Sequence, residues 1–288
     1  MDQEFKLKLD DRPVPEGTLA RGIAILEVLA NNASGAHLHA IADALHVPRS
    51  ATHRLLTELG ELGYVRQDAE RGRYRLTAKI VSVGSSFLAN LGVVDLVQPI
   101  LDHLARLTGE LVRLALIDSD RLTWVAKAQG ASIGLRYDPD MGAETSLYCT
   151  ATGFAWLSCL SDGEALRLIE AQRARLPFEG GPNAPRSTSD VLDCLNQARR
   201  RGYGISFETF AAGMSAIAAP VRRKGDGQAK AVVSIAGPCS RLSEMRLHEL
   251  APDLLTAVAE LSVTSFNAPG FHAQNRANMG DIFEDTHR

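Results

Sequence analysis

The sequence predicts an α+β chain in two modules, and three observations carry that prediction. Between residues 38 and 76 a helical stretch, a three-residue break and a second helix run into two short strands. Beyond residue 94 helical and strand-like runs come in blocks, in the order helix, strands, helices, strands, helix, which predicts an antiparallel sheet flanked by helices. Between the two lies an apolar stripe at three- and four-residue spacing, Ile80, Val83, Phe87, Leu88 and Leu91. At 288 residues and 45% hydrophobic composition the chain is long enough for two cores.

Residues 1 to 17 are polar, mixed in charge and contain Pro13 and Pro15, so a flexible arm is expected. Leu19, Ile23, Leu26 and Ala30 then repeat at helical spacing. Leu38 to Leu45 gives a second helix and Arg49 to Leu62 a third. The break His46-Val47-Pro48 separates them, with His46 at a left-handed position that histidine tolerates and Pro48 at the helix start, where its missing N–H is harmless. In the third helix Ala51, Leu55, Leu56, Leu59 and Leu62 fall in one arc that faces the core. The opposite face carries Ser50, His53, Arg54 and Thr57, with Arg49 at the start; Thr52 lies inside the apolar arc but belongs to the same candidate set. Tyr64 to Gln67 and Arg73 to Leu76 read as strands around a turn at Gly72, with Tyr74 and Leu76 inward and Arg73 and Arg75 outward, and with Arg71 at the tip and Arg73 beside it placed near a DNA backbone or minor groove. The assembly over residues 18–76 is a winged helix-turn-helix. Its polar face has the donors and cations that reach base edges and phosphates from a major-groove helix.

Charge supports a local nucleic-acid interface. From His46 to Lys79 seven Lys/Arg stand against four Asp/Glu, whereas the whole chain carries a net charge of −3. A chain wrapped in nucleic acid throughout would be basic overall, so one module reads DNA and the rest does something else.

A linker helix is expected over residues 77–93, packing on its own module or pairing with a second copy of the chain. A second domain follows over 94–265. Leu96, Ile100, Leu104 and Leu107 mark a helix ended by Gly109, and strand-like runs cover Leu111 to Ile117, Leu122 to Ala128 and Ile133 to Tyr137. Thr150 to Leu160, Glu164 to Gln172 and Val191 to Arg201 read as helices around a Pro/Gly-rich loop at 175–187. Tyr203 to Phe207, Met214 to Val221 and Ala229 to Ala236 read as strands, and Leu247 to Val263 as a closing helix kinked at Pro252. Periodicity is lost from Asn267, so a disordered tail is expected over 266–288.

Cys149, Cys159, Cys194 and Cys239 are scattered without metal-ligand spacing, and no Walker loop, GxGxxG, HExxH or GxSxG motif occurs. No metal, cofactor or catalytic residue is therefore expected. No apolar run approaches a membrane span, and the first residues lack a signal-peptide pattern, which predicts a cytoplasmic protein without a membrane partner. An enzyme with an appended DNA reader is the competing class; Asp190 and His248 are too isolated in sequence to argue for it. A ligand-independent DNA-binding protein is a third.

Seven segments in order and spacing, ARGIAIL (20 to 26), VPRSATHRLL (47 to 56), LGYVRQD (62 to 68), GRYRLT (72 to 77), RRGYGIS (200 to 206), AIAAPV (216 to 221) and VSIAGPCSRLS (233 to 243), resemble bacterial transcription regulators of the isocitrate lyase regulator (IclR) family. The resemblance spans Leu19 to Thr264. It implies a linker helix that pairs across a homodimer, association of dimers into homotetramers, and a C-terminal domain like the GAF sensory fold that binds a small organic acid. It further implies a regulator of a catabolic operon, more often a repressor, acting on double-stranded operator DNA. Carried over position by position, the effector-binding set is Cys149, Ala151, Thr152, Ser206, Met214, Ala216, Ser234 and Ala236. Backbone N–H groups at Ala151 and Thr152, opening a helix, would hold the carboxylate. Where relatives that bind small oxo-acids place an aspartate, a cysteine and a second serine, this chain has Ser206, Ala216 and Ala236, and Met214 and Phe207 add apolar bulk. The departures point away from a very small oxo-acid and toward a larger, aromatic carboxylate.

Overall fold

The computed structural model describes residues 16–90, 94–132, 136–137, 144–176 and 179–264. The chain divides into two compact units between Leu88 and Ala89. The expected arm, apart from Glu16 and Gly17, and the expected tail lie outside the described residues.

The first unit runs α1 (Thr18–Ala30), α2 (Leu38–Leu45), α3 (Arg49–Glu61), β1 (Val65–Gln67), β2 (Tyr74–Leu76) and α4 (Lys79–Asn90), the last ending beyond the boundary. Ile25, Val28 and Leu29 of α1, Ile41 and Leu45 of α2, and Leu55 and Leu56 of α3 close one core, with Val65 and Tyr74 from the hairpin. His46 ends α2 at φ 51°, ψ 38°, and the Val47 N–H reaches the Ala42 carbonyl at 3.0 Å. That six-to-one bond is the Schellman turn that reverses a chain after a left-handed residue. The β1–β2 hairpin is anchored to the helices through Ala36, whose N–H and C=O bond Tyr74 at 3.0 and 2.8 Å. Gly35 permits this approach: at φ 77° it sits where a Cβ would strike the Arg75 side chain and the Tyr74 carbonyl. Leu62 departs from the expected arc and is 53% exposed. The helix stops at Glu61, and Leu62 is the cap that leads into the turn at Gly63.

The second unit runs α5 (Val94–Thr108), β3 (Leu111–Asp118), β4 (Arg121–Gln129), α6 (Ala151–Leu157), α7 (Asp162–Arg175), α8 (Thr188–Arg201), β5 (Gly204–Phe207), β6 (Met214–Arg222), β7 (Ala229–Pro238), α9 (Glu244–Glu249) and α10 (Ala251–Thr264). The strands form one antiparallel sheet, as the block order predicts, and their order is β4-β3-β7-β6-β5. α5 and α10 pack against it, and α6 packs on β5, β6 and β7 with α8 beside it. The closing helix is two helices, broken at Leu250. Pro252 falls in the first turn of α10, where a missing N–H leaves no bond unmade. The expected strand from Ile133 to Tyr137 falls largely outside the described residues; Arg136 and Tyr137, which are described, belong to no strand.

Register assigns the faces. Arg113 pairs with Ser234, which pairs with Ala218, which pairs with Gly204; Leu111, Ala236, Ala216 and Ser206 form the next row. Opposed residues share a face, and these rows face α6. Small side chains there let α6 come close: a Cβ on Gly204 would collide with the backbone of Ala151 and Ala155. At the β3–β4 edge the register slips. Leu114 faces Ala126 but Ala115 faces Trp124, so β4 carries Val125 as an extra residue. Such a bulge reverses which face the following residues take. Buried positions alternate through Leu122, Trp124, Ala126 and Ala128, yet only Leu122 and Trp124 join the α6-side core.

Candidate functional site

The first unit presents an exposed polar face on α3. Arg49, Ser50, His53, Arg54 and Thr57 are all exposed there. Arg49 lies 4.0 Å from Asp43, both side chains about two-thirds exposed, an ion pair that water screens heavily. The Thr57 hydroxyl donates to the His53 carbonyl at 3.0 Å. Thr52 is a correction to the expected set. It is fully buried, and its hydroxyl donates to the Pro48 carbonyl at 3.2 Å, so it packs α3 against the core and cannot reach a duplex.

At the hairpin tip Arg71 is exposed and Arg73 half-buried, with the Arg73 Nε 3.4 Å from His37 Nε2. The tip is built on Asp68, whose carboxylate accepts from the N–H groups of Glu70 and Arg71 at 3.0 and 3.3 Å. Those two bonds hold its pKa below the usual carboxylate value. Asp68 is also 3.8 Å from Arg75. Arg71 is thereby held at the point of the wing.

Two residues of the α4 stripe face outward in its own unit, Val83 at 52% and Phe87 at 47% exposed, while Ile80 is half-buried. Leu91 lies outside the described residues. The helix is pinned at its start by Lys79, which donates to the Leu62 carbonyl at 2.6 Å and sits 4.8 Å from the Tyr64 ring.

The second unit encloses a cavity of about 250 Å³ between the α6 face of the sheet and the start of α6, near the small end of the ~300–1,000 Å³ usual for ligand pockets. Seven of the eight carried-over positions, Ala151, Thr152, Ser206, Met214, Ala216, Ser234 and Ala236, line it. Cys149 does not. It is fully buried beside the cavity wall, with its sulfur 3.1 Å from the Ser146 hydroxyl. Its carbonyl accepts from the Thr209 hydroxyl at 2.6 Å, and that hydroxyl lies 2.6 Å from Ser206 Oγ. Burial pushes the Cys149 thiol up to about 11, the behaviour of a packed thiol. Phe207 is not on the wall either; Phe210 is.

The start of α6 is a built feature. Thr150 caps it, its hydroxyl accepting from the Gly153 N–H at 2.9 Å and donating to the Ser146 carbonyl at 2.5 Å. The N–H groups of Ala151 and Thr152 precede the first intrahelical bond and so have no partner within the helix. Buried Gln172 fixes the loop before α6: it accepts from the Leu147 N–H at 2.8 Å and donates to the Thr145 carbonyl and Glu144 at 2.8 and 2.9 Å. Glu144 in turn holds Arg175 through two bonds of 3.0 and 3.1 Å.

Sequence reasoning missed one charged wall. Arg113, 8% exposed, lines the cavity from β3, with its guanidinium 3.8 Å from the Trp124 ring centre and 5.8 Å from that of Tyr137. Trp124 and Tyr137 line the cavity too, whereas Trp156 is buried in the core away from it. The available signal was a lone cation inside the apolar strand run LVRLALI.

A winged helix-turn-helix followed by a cavity-bearing α+β domain defines a DNA-binding transcription regulator with a C-terminal effector domain. Residues 18–69 match the IclR helix-turn-helix domain, and residues 85–263 match the bacterial transcriptional regulator IclR C-terminal domain; the chain belongs to the IclR family. It is 31% identical over 247 residues to the acetate operon repressor of Salmonella typhimurium, covering 85% of this chain and 89% of that one. It is 29% identical over 254 residues to the regulator KdgR of Escherichia coli, covering 88% and 94%. In fold it is similar to an IclR transcriptional regulator from Alicyclobacillus acidocaldarius, with TM-score 0.73 and 21% identity over 85% of this chain and 97% of that one. It is likewise similar to an IclR homolog from Microbacterium hydrocarbonoxydans complexed with 4-hydroxybenzoate, with TM-score 0.67 and 18% identity over 84% and 99%.

Proposed function

We propose that this regulator is a cytoplasmic, non-enzymatic repressor of a catabolic operon whose grip on its operator is set by an aromatic carboxylic acid bound in the C-terminal cavity. The observation that carries the reading is the start of α6. Two backbone N–H groups, at Ala151 and Thr152, open onto a cavity walled by Trp124, Tyr137, Phe210 and Met214. A helix start offers donors and partial positive charge to a carboxylate, and the aromatic walls match a ring. The 4-hydroxybenzoate complex of a protein with this fold supports the same ligand class.

Ser50, His53 and Arg54 read the major groove, with Arg49 and Thr57 beside them, and Arg71 and Arg73 meet backbone or minor groove. The exposed stripe residues Val83 and Phe87 support pairing of α4 with a second copy, and a dimer of readers, or a tetramer built from two such dimers, addresses half-sites of a near-palindromic operator. Effector binding favours one arrangement of the C-terminal domains and so shifts the population of DNA-competent dimers. Among the described residues no helix is long and apolar enough to cross a membrane, in keeping with a cytoplasmic repressor. Titrating benzoate and 4-hydroxybenzoate into the full chain and reading its thermal midpoint tests the ligand class. A rise with these acids and none with glyoxylate or pyruvate is expected; the opposite pattern would remove the aromatic reading.

A further inference from the structure

We infer that Arg113 and Ser234 form a second anion subsite in the cavity, so that the preferred effector is an aromatic dicarboxylate. This rests on the reading that the cavity binds an acid at the start of α6. Arg113 and Ser234 are directly opposed in the β3–β7 register, so their side chains rise side by side from the α6 face of the sheet. Both line the cavity. The Ser234 residue is 1% exposed, and its hydroxyl has no hydrogen-bond partner among the described residues. An unmet buried hydroxyl is unfavourable unless something in the cavity completes it.

Arg113 supplies the charge. Its guanidinium carbon lies over the Trp124 ring, 3.8 Å from the ring centre, and this placement depends on the register slip at Val125. Were Val125 paired with Ala115 in unbroken register, Trp124 would oppose Leu116 and point to the other side of the sheet. Packing over the ring anchors the guanidinium, whose N–H fork is the recognition element for a planar carboxylate. The acidic residue on the same wall, Glu144, is engaged by Arg175, Gln172 and, at 4.0 Å, Arg121. Its charge is therefore largely balanced away from the cavity. One carboxylate on the α6 N–H groups and a second beside Arg113 and Ser234, with the ring between them against Trp124, gives the unmet Ser234 hydroxyl a partner.

The test is isothermal titration of the full chain with benzoate and with each of the three benzenedicarboxylates. At least one dicarboxylate should bind wild type tenfold or more tighter than benzoate. Arg113→Gln should bring that ratio close to one, a loss of roughly 10- to 100-fold for the dicarboxylate. Arg113→Lys, which keeps the charge but loses the fork, should restore part of it. Ser234→Ala, a small change within a strand, should lower the ratio several-fold and decides the matter if the arginine variants fail to fold. A wild type that binds benzoate as well as every dicarboxylate, or a ratio untouched by Ser234→Ala and Arg113→Gln, would overturn the subsite while leaving the effector cavity standing. Failure of all four acids to bind wild type would overturn the aromatic-acid reading together with the subsite.

Discussion

The guanidinium of Arg113 rests 3.8 Å from the ring centre of Trp124, although the two residues belong to neighbouring strands whose regular register would put them on opposite faces. The register slips at Val125, which is left unpaired, and that slip brings them together. Trp124→Leu isolates the side chain itself: loss of a buried aromatic and of a cation–π interaction worth ~0.5–2 kcal/mol should lower stability by about 2–4 kcal/mol. Denaturant unfolding checks this, and an unchanged midpoint would contradict the stacked arrangement.

His53→Ala should change which base pairs are preferred, whereas Arg71→Ala should weaken binding to all duplexes alike. Each phosphate that the protein no longer neutralises lowers the salt slope by about 0.9. Affinity measured across salt concentrations for matched and scrambled duplexes separates the two. A wing variant that alters preference but not slope would reassign the tip.

Thr52→Ala acts differently, since that residue is buried and bonded to Pro48. It should reduce stability by roughly 1 kcal/mol with base preference retained, measured by thermal unfolding beside the same binding series. A changed preference at unaltered stability would return Thr52 to the interface.

These three residues mark how far the sequence could be read. The 100° spacing in α3 separated His53 and Arg54 from the core face, and it placed Thr52 inside the apolar arc, where it is found. His46 was legible as a left-handed stop because a short break between helices demands one. Leu62 was not, because periodicity carries no signal for where a helix ends. In the second unit the strand blocks and their antiparallel sheet followed from composition and turns. Seven cavity positions came only through resemblance, since Ala216, Ala236 and Ser234 look like any strand residues. Arg113 escaped entirely, and Trp124 read as core, which it is, with no sign of the cavity it also lines: their meeting depends on a bulge, and one extra residue leaves the alternation of buried positions in β4 undisturbed.

Acid should loosen the loop before α6. Burial would raise the Glu144 carboxyl, but the bonds from Arg175 and Gln172 outweigh it and hold the group below its ordinary 4.5. A carboxyl depressed in the folded state stabilises fully above its unfolded value, and that contribution is lost as pH falls through the folded one. Below pH 4.5 the wild-type thermal midpoint should therefore fall more steeply than that of Glu144→Gln. Parallel curves would show that the pairing contributes nothing.

Cys149 should resist alkylation. With its thiol pushed up to about 11 by burial, iodoacetamide at neutral pH should leave it unmodified in the native chain and label it after unfolding, as peptide mass mapping would read. Rapid native labelling would place it on an open surface instead.

The claim that the cavity controls the DNA reader is tested most directly by operator affinity in the presence of effector. Fluorescence anisotropy of a labelled duplex from the DNA flanking the gene, titrated with full-length protein at zero and saturating benzenedicarboxylate, measures it. A five-fold or greater loss of affinity with acid, within the ~5–150-fold span of allosteric couplings, is the predicted result. Saturation of the cavity, verified by titration calorimetry in the same buffer, with operator affinity unchanged would contradict it.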